Sequence, residues 1–323
     1  MALKLPAPEA AKIAIQSIGC GYDICLDLRL KYRKRDSTNL SLIEIHEDQE
    51  KEIVLPGGIL IPNVSKAIKC DKGEHARFRS DVLSFQQMSE QFNQEMSLTG
   101  KIPSGVFNTM FEFTGSWQKD AAHTKTLAFD GLFITLYTVA LDKSQMVLSD
   151  HVKKAVPSSW DPAALARFIE KFGTHIIVGV KMGGKDVIYM KQQHSSSLQP
   201  SDVQKRLKTI ADKRFVDARG QSGMDSEQTY QKDKFQVREQ RLRFADTSLS
   251  RFADTSLSSS YSYKEDIVSI CMRRGGNDNK NLTHNEWLHN VQLEPDAISM
   301  SFIPEWCLRE WIPEPCHKSL LTL

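Results

Sequence analysis

Apolar positions along the chain follow two rhythms. Four stretches, 22–32, 130–141, 175–190 and 267–272, alternate or run apolar in the manner of strands. Between them, 74–112 and 195–265 carry mostly helical spacing with polar outer faces. In 22–32, Ile24, Leu26, Leu28, Leu30 and Tyr32 fall on one side, with Asp23, Asp27, Arg29 and Lys31 largely on the other. That alternation predicts a long half-buried antiparallel strand, with Arg33, Lys34 and Arg35 as its solvated end. The run 130–141 is apolar on both sides and predicts a mid-sheet strand covered on both faces. Short strands are expected at 42–45 and 53–55, before the Pro56-Gly57-Gly58 turn.

Helices are expected over 7–16 and 144–154. Ser80 can cap a helix over 81–96, where Val82, Phe85, Met88, Phe92 and Met96 recur every three or four residues. Further on, Phe107, Thr109, Phe111 and Phe113 alternate with Asn108, Met110 and Glu112, a strand-like pattern. Asp161 and Pro162 start a helix whose apolar face is Ala164, Leu165, Phe168 and Ile169, with Gly173 as a left-handed stop. Ser201 and Gln204 have capping-box spacing and open a helix with Val203, Leu207 and Ile210 inward. Its outer face is basic, with Lys205, Arg206, Lys208, Lys213 and Arg214. Residues 243–250 are repeated at once as 251–258, which reads as an insertion in an exposed loop. Lengthening such a loop costs only about 0.6 kcal/mol per doubling.

Glycine pairs punctuate the strands. Gly183-Gly184 inside a strand pattern marks a bulge, a bend or a close backbone approach. A second pair follows 267–272 as Arg274-Gly275-Gly276, and Trp287, Leu288, Val291 and 298–303 close the domain.

Composition narrows the function. A net charge of +2 gives no electrostatic case for nucleic acid. The longest apolar run, 131–141, is too short for a membrane-spanning helix. The first residues lack an uninterrupted hydrophobic region, so synthesis in the cytoplasm without secretion is expected. The six cysteines match no zinc spacing and are expected as free thiols; no metal or cofactor is expected. His175, Asp186, His194, Cys20 and Cys25 could do chemistry, but no catalytic motif gathers them, and the G-x-G at Gly19–Gly21 lacks the third glycine of a dinucleotide loop. The expectation is a protein that is not an enzyme.

Phe172-Gly173-Thr174-His175-Ile176, six further residues and Gly183-Gly184 resemble the signature of the membrane attack complex/perforin (MACPF) family, with Phe172 where Tyr or Trp is usual. Arg274-Gly275-Gly276 with Trp287 downstream also looks like the family. Stretches 55–74, 77–95 and 172–189 resemble its plant, constitutively-activated-cell-death group. The resemblance implies an α+β, MACPF/cholesterol-dependent-cytolysin-like fold: a bent, twisted central four-stranded antiparallel sheet flanked by two helical clusters. It implies a MACPF domain over 1–304 and an atypical, shortened tail over 305–323. In pore-forming members both clusters unfurl into transmembrane β-hairpins, here about 74–112 and 195–265. Phe85, Met88, Phe92, Phe107, Phe111, Phe113, Lys205, Arg206 and Lys213 would then form the membrane-insertion or partner face. Gly183-Gly184 would set the bend, with His175 a structural residue beside it. The implied function is regulation of salicylate-linked, hypersensitive-type plant immune cell death, peripheral at the plasma membrane. Membrane lipid, a self-oligomer and an immune-signalling protein are the implied partners. The alternative is a soluble regulator that makes no pore and works through protein partners.

Overall fold

The structure, a computed structural model, describes residues 5–35, 41–45, 50–142, 146–157, 161–216, 240–242, 266–276 and 282–304. The tandem copy at 243–258, the 305–323 tail, Trp160, Cys307 and Cys316 lie outside the described residues. In chain order the elements are α1 (Ala7–Ser17), β1 (Gly21–Tyr22), β2 (Glu50–Leu55), β3 (Ile59–Ser65), β4 (Ile68–Lys72), β5 (His75–Ser80), α2 (Phe85–Glu95), α3 (Gly105–Met110) and α4 (Trp117–His123). There follow β6 (Thr124–Leu141), α5 (Asp150–Ala155), α6 (Pro162–Phe172), β7 (His175–Gln193), α7 (Pro200–Val216), β8 (Gln240–Leu242), β9 (Ile267–Arg274), α8 (His284–Val291) and β10 (Asp296–Pro304).

The spine is the antiparallel pair β6 and β7, of 18 and 19 residues. Both runs are apolar on both sides, as buried mid-sheet strands require. On the outer side of β6 stand β5 and then β4, end to end; on the outer side of β7 stand β9 and then β10. The sheet thus has four antiparallel columns, two unbroken inner strands and two split outer ones, and β8 adds a short parallel pairing outside β5 at Phe78–Ser80. The fold is α+β. One face carries Phe129 and Tyr189 under α2 and α3, where Phe92 and Phe111 lie with ring centroids 5.2–6.4 Å from them. The other face is crossed by α7, which buries Val203, Leu207, Ala211 and Phe215. The β2–β3 hairpin buries Ile53, Leu55, Ile61 and Val64, and α1 packs beside it.

Several expectations give way to local chemistry. The stretch 22–32 is not a long strand: only Gly21–Tyr22 pairs with β7, and the remainder is turns ending in a 3-10 helix, Leu30–Tyr32. Side chains take the backbone groups a ladder would have used. Asp23 accepts from the Cys25 N–H at 3.0 Å, and the Tyr22 hydroxyl accepts from the Arg29 N–H at 2.9 Å. Nor is its basic end solvated. Lys34 donates to the carbonyls of Ile169 and Glu170 at 2.8 and 2.9 Å, closing the end of α6, and Arg35 reaches the Gln16 carbonyl near the end of α1.

The helix expected from Ser80 starts at Phe85, because Ser84 and Gln87 form a complete capping box. Ser80 instead accepts from the Phe129 N–H at 2.8 Å. The alternating 107–113 segment is not a strand: α3 covers Gly105–Met110, capped by Ser104. At helical spacing Phe107 and Phe111 stack at 5.3 Å on one side. Helix α5 is shorter than expected, six residues. Helix α7 starts at Pro200 without the expected box; the Gln204 amide reaches the Ser80 carbonyl at 3.4 Å instead. Asp161 caps α6 through the N–H groups of Ala163 and Ala164, as expected. The stop at Gly173 is at φ 101°, ψ −162°, extended in ψ rather than left-handed helical, and still a conformation suited to glycine.

Candidate functional site

Gly183 and Gly184 do not interrupt their strand; β7 runs through them. The irregularity falls on the neighbours. Thr135 pairs with Gly183 and Tyr137 with Met182, so Leu136 is an extra residue on β6; Ala297 pairs with Met182 and Ser299 with Lys181, so Ile298 is extra on β10. At this level β4 gives way to β5 at Gly73–Glu74, and β9 gives way to β10. A line of bulges and breaks therefore crosses all four columns, which is where a sheet bends most readily.

Glycines are needed along this line because backbones touch there. A Cβ on Gly183 would lie 1.8 Å from the Ile134 carbonyl oxygen, and one on Gly73 2.1 Å from that of Thr135. Gly275, at φ +72°, sits on the first glycine pair, its would-be Cβ 2.1 Å from the Gly183 oxygen. A Cβ on Gly184 would meet Val291 at 2.6 Å and Trp287 at 3.0 Å, and one on Gly276 would meet Trp287 at 3.2 Å. Trp287 is fully buried and donates from Nε1 to the Gly275 carbonyl at 2.8 Å. The two glycine pairs and this tryptophan are thus one packed unit, and the sequence-level pairing of R-G-G with Trp287 has a physical meaning.

His175 is not beside the bend. It lies eight residues before Gly183 on an extended strand, about 26 Å along its length at the usual rise. Phe172, Gly173 and Thr174 instead fasten the α6–β7 junction to β1. A Cβ on Gly21 would sit 1.6 Å from the Phe172 oxygen, and one on Gly173 2.7 Å from the Tyr22 nitrogen. Thr174 donates from both N–H and Oγ1 to the Tyr22 carbonyl at 3.0 and 3.2 Å. Burial lowers the His175 pKa to about 4, so the ring is neutral and shares a hydrogen bond with Thr174 Oγ1 at 3.0 Å. Gly19 and Gly21 serve close packing too; a Cβ on Gly19 would be 2.1 Å from Ser41 Oγ.

The expected insertion face divides. Phe85, Met88, Phe92, Phe107 and Phe111 are buried, and Phe113 is packed against them, with centroids of 5.1–5.8 Å linking the rings. They are core, not an open face, because α2 and α3 turn them all onto the sheet. Lys205, Arg206 and Lys213 are exposed on α7. Arg214, expected among them, turns inward.

Where Arg214 goes reveals residues that sequence reasoning missed. Fully buried Asp186 on β7 accepts from Arg214 at 2.8 Å, Arg273 of β9 at 3.1 Å and His284 of α8 at 3.0 Å. Fully buried Asp130 on β6 accepts from Arg77 at 2.8 Å and Arg79 at 2.6 Å, and Arg77 also holds Asp212 of α7 at 2.9 Å. Burial pushes the Asp186 carboxyl up, but the His284 hydrogen bond, the charge and hydrogen bond of Arg214 and the charge of Arg273 together hold it below its usual range. Helix α7 is therefore latched to the sheet at Asp212 and Arg214. The latch adjoins the bend: Phe215 lies 5.2 Å from His284, and His284 lies 5.3 Å from Trp287. Behind the sheet, Arg274 is buried and paired with Asp27 at 2.8 Å, tying the 23–29 loop to β9. The signal was present: single acids inside apolar runs, as in AFDGLF and GGKDVIYM, must be buried and so must be paired.

No cluster of metal-ligating side chains occurs among the described residues, and no described helix is long and apolar enough to cross a membrane. Cys20, Cys25, Cys70 and Cys271 carry free thiols.

A family model for the MAC/Perforin domain matches residues 6–307. A MACPF domain-containing protein of Arabidopsis thaliana is 67% identical over 314 residues, 97% of this chain and 50% of that protein. The Arabidopsis thaliana MACPF domain-containing proteins NSL1 and CAD1 are 46% and 38% identical over 96% and 97% of this chain, and again 50% of their own lengths. The chain spans about half the length of these relatives. Among solved structures, GNIP1Aa from Chromobacterium piscinae has a similar fold, with a TM-score of 0.57 at 14% identity, covering 96% of this chain and 54% of that one.

Proposed function

The chain belongs to the MAC/Perforin domain family, and from that premise we propose that it is a non-catalytic regulator of plant immune cell death that acts by assembling at a membrane. One observation carries the mechanism. The segment 81–123 joins β5 to β6, and 194–266 joins β7 to β9; both leave the sheet at its Thr124–Gln193 end. Each links antiparallel neighbours, so each, once straightened, would prolong two adjacent strands as a hairpin. A spanning strand needs about 10 residues, and both segments exceed two such strands. A bilayer accepts such strands only when their backbone groups are paired in a closed barrel, which one copy cannot provide. Self-association is part of the proposal. The exposed lysines and arginine of α7 suit an anionic lipid surface, from the cytoplasmic side of the plasma membrane. The relatedness to NSL1 and CAD1 supports the cell-death setting, and the resemblance of 55–74, 77–95 and 172–189 to the plant cell-death group carries the salicylate-linked, hypersensitive type.

A second reading keeps the clusters folded and works through an immune-signalling protein. The aromatic core beneath α2 and α3 favours it, since release would expose Phe85, Phe92, Phe107 and Phe111. Dye release from anionic liposomes, with the chain tethered to the lipid through an added tag, separates the two. Leakage abolished by cross-linking α2 to β6 through introduced cysteines is the expected result. Intact liposomes under a saturating coat of tethered protein would move the assignment to the second reading.

A further inference from the structure

Lys185 is buried on β7, 6% exposed, and takes no part in the latch. Its ammonium donates one recorded hydrogen bond, to the Ile298 carbonyl at 3.2 Å, and forms no ion pair among the described residues. An ammonium carries three donors, and a buried one without a counter-charge is costly. Its register partner on β9 is Arg274, a second cation already committed to Asp27. Burial and that neighbour lower the Lys185 pKa to about 8. Its hydrogen bond holds the carbonyl of the bulged Ile298, while Glu95, Asp27 and Asp296 act on the charge only at a distance and oppose the shift.

Beside it lies a cavity of about 290 Å³ between α2 and the bend line. Phe78, Phe129, Phe133 and Ile298 give it apolar walls, and Gln94 and Glu95 of α2 stand at its side. Phe78 and Phe133 meet edge to face at 5.4 Å. A smaller void continues inward past Glu95, Phe133 and Ile298 to Lys185 and Tyr189. The cavity thus has an apolar interior behind a mouth that carries Glu74, Glu95 and Lys181, and the inner void, of about 20 Å³, ends at Lys185. Sites of this build hold an apolar body by area and fix its direction with one charge.

We propose that this cavity binds an apolar monocarboxylic acid, its chain against Phe78, Phe129 and Phe133 and its carboxylate on Lys185. The ligand would lie between the first helical segment and the sheet, touching both α2 and the bulge at Ile298. Binding stands independently of whether that segment ever leaves the sheet. Glu95 is the built-in competitor, an exposed carboxylate at the neck that the ligand must displace electrostatically.

The test is calorimetric titration of the full chain with decanoate below its micellar concentration, and with decanol, which keeps the apolar body and lacks the charge. Decanoate is expected to bind one to one. Lys185→Met should weaken decanoate at least tenfold and leave decanol unchanged, and Glu95→Gln should strengthen decanoate several-fold. Phe78→Trp, which fills the cavity at a half-buried position, should abolish both and serves if Lys185→Met does not fold. Absence of decanoate binding to the folded chain overturns the proposal. So does decanoate affinity that is indifferent to a folded Lys185→Met, or to Phe78→Trp.

Discussion

If α7 is held by its latch, one guanidinium should control how often it lifts. Arg214 meets Asp186 through Nε at 2.9 Å and a second nitrogen at 2.8 Å, with its side chain 26% exposed against a fully buried carboxylate. Replacing it by Met keeps the aliphatic stem and removes both charged bonds. Arg273 and His284 remain on Asp186, so no bare buried anion results, and Asp212 still holds Arg77. A hydrogen bond to a charged group is worth about 1.5–3 kcal/mol, and the two-pronged contact acts as one unit. The opening free energy of α7 should fall by about that amount, which is about 10- to 100-fold faster amide exchange at 1.4 kcal/mol per decade. Hydrogen exchange read by mass spectrometry should show this in peptides covering 203–216, with β6 and β7 unchanged. Arg206→Met, on the exposed face, is the control. Unaltered α7 exchange in Arg214→Met would refute the latch, and equal acceleration in β6 and β7 would refute its locality.

Two further outcomes follow from the same geometry. His175 titrates near 4 when folded against 6.5 ordinarily, so the unfolded chain binds the extra proton and stability falls as pH drops from 6.5 toward 4. Urea denaturation should therefore cost the wild type about 2.5 kcal/mol more than His175→Asn between about pH 7 and pH 4.5, and parallel curves would contradict a neutral buried ring. Gly184→Val must push against Val291 and Trp287, and should lower stability by about 1–3 kcal/mol by overpacking. Gly57→Ala, at φ +84° but with no heavy atom within 4 Å of the new carbon, should cost only the backbone strain of about 1 kcal/mol. Thermal denaturation of both variants tests whether packing at the bend, rather than glycine content, matters.

The sequence carried the inner sheet because β6 and β7 are apolar on both sides, a pattern few other elements share. It carried α6 because Asp161 and Pro162 mark a start that needs no partner elsewhere in the chain. It misled at 22–32, where alternation was real but the backbone groups were claimed by Asp23 and Tyr22. It misled again at 107–113, since four alternating residues fit a helix whose neighbours also want apolar contacts. The G-T-H motif and the glycine pair were legible as one signature and turn out to be two devices at different points of one strand. Phe172 to Thr174 anchor a junction through backbone contact with Tyr22, information that resides in the partner and not in the motif. The Asp186 latch was hidden because its four members come from four elements. Only their misfit within apolar or solvent-facing runs was visible, and misfit does not name a partner.

If copies assemble as proposed, the split outer columns bear on what keeps assembly from starting early. A sheet edge is a template for any other strand, and a long flat one invites pairing between copies. Among the described residues neither edge offers more than nine consecutive strand residues, since β5 yields to β4 and β9 to β10 at the bend line, and β8 already covers Phe78–Ser80 of β5. The glycines that permit the bend also interrupt the template. A second copy approaching edge-on would find two short strands instead of one. Straightening the sheet would bring the pieces of each edge into line, so the shape change proposed above to free the hairpins would at the same time complete an edge for a second copy.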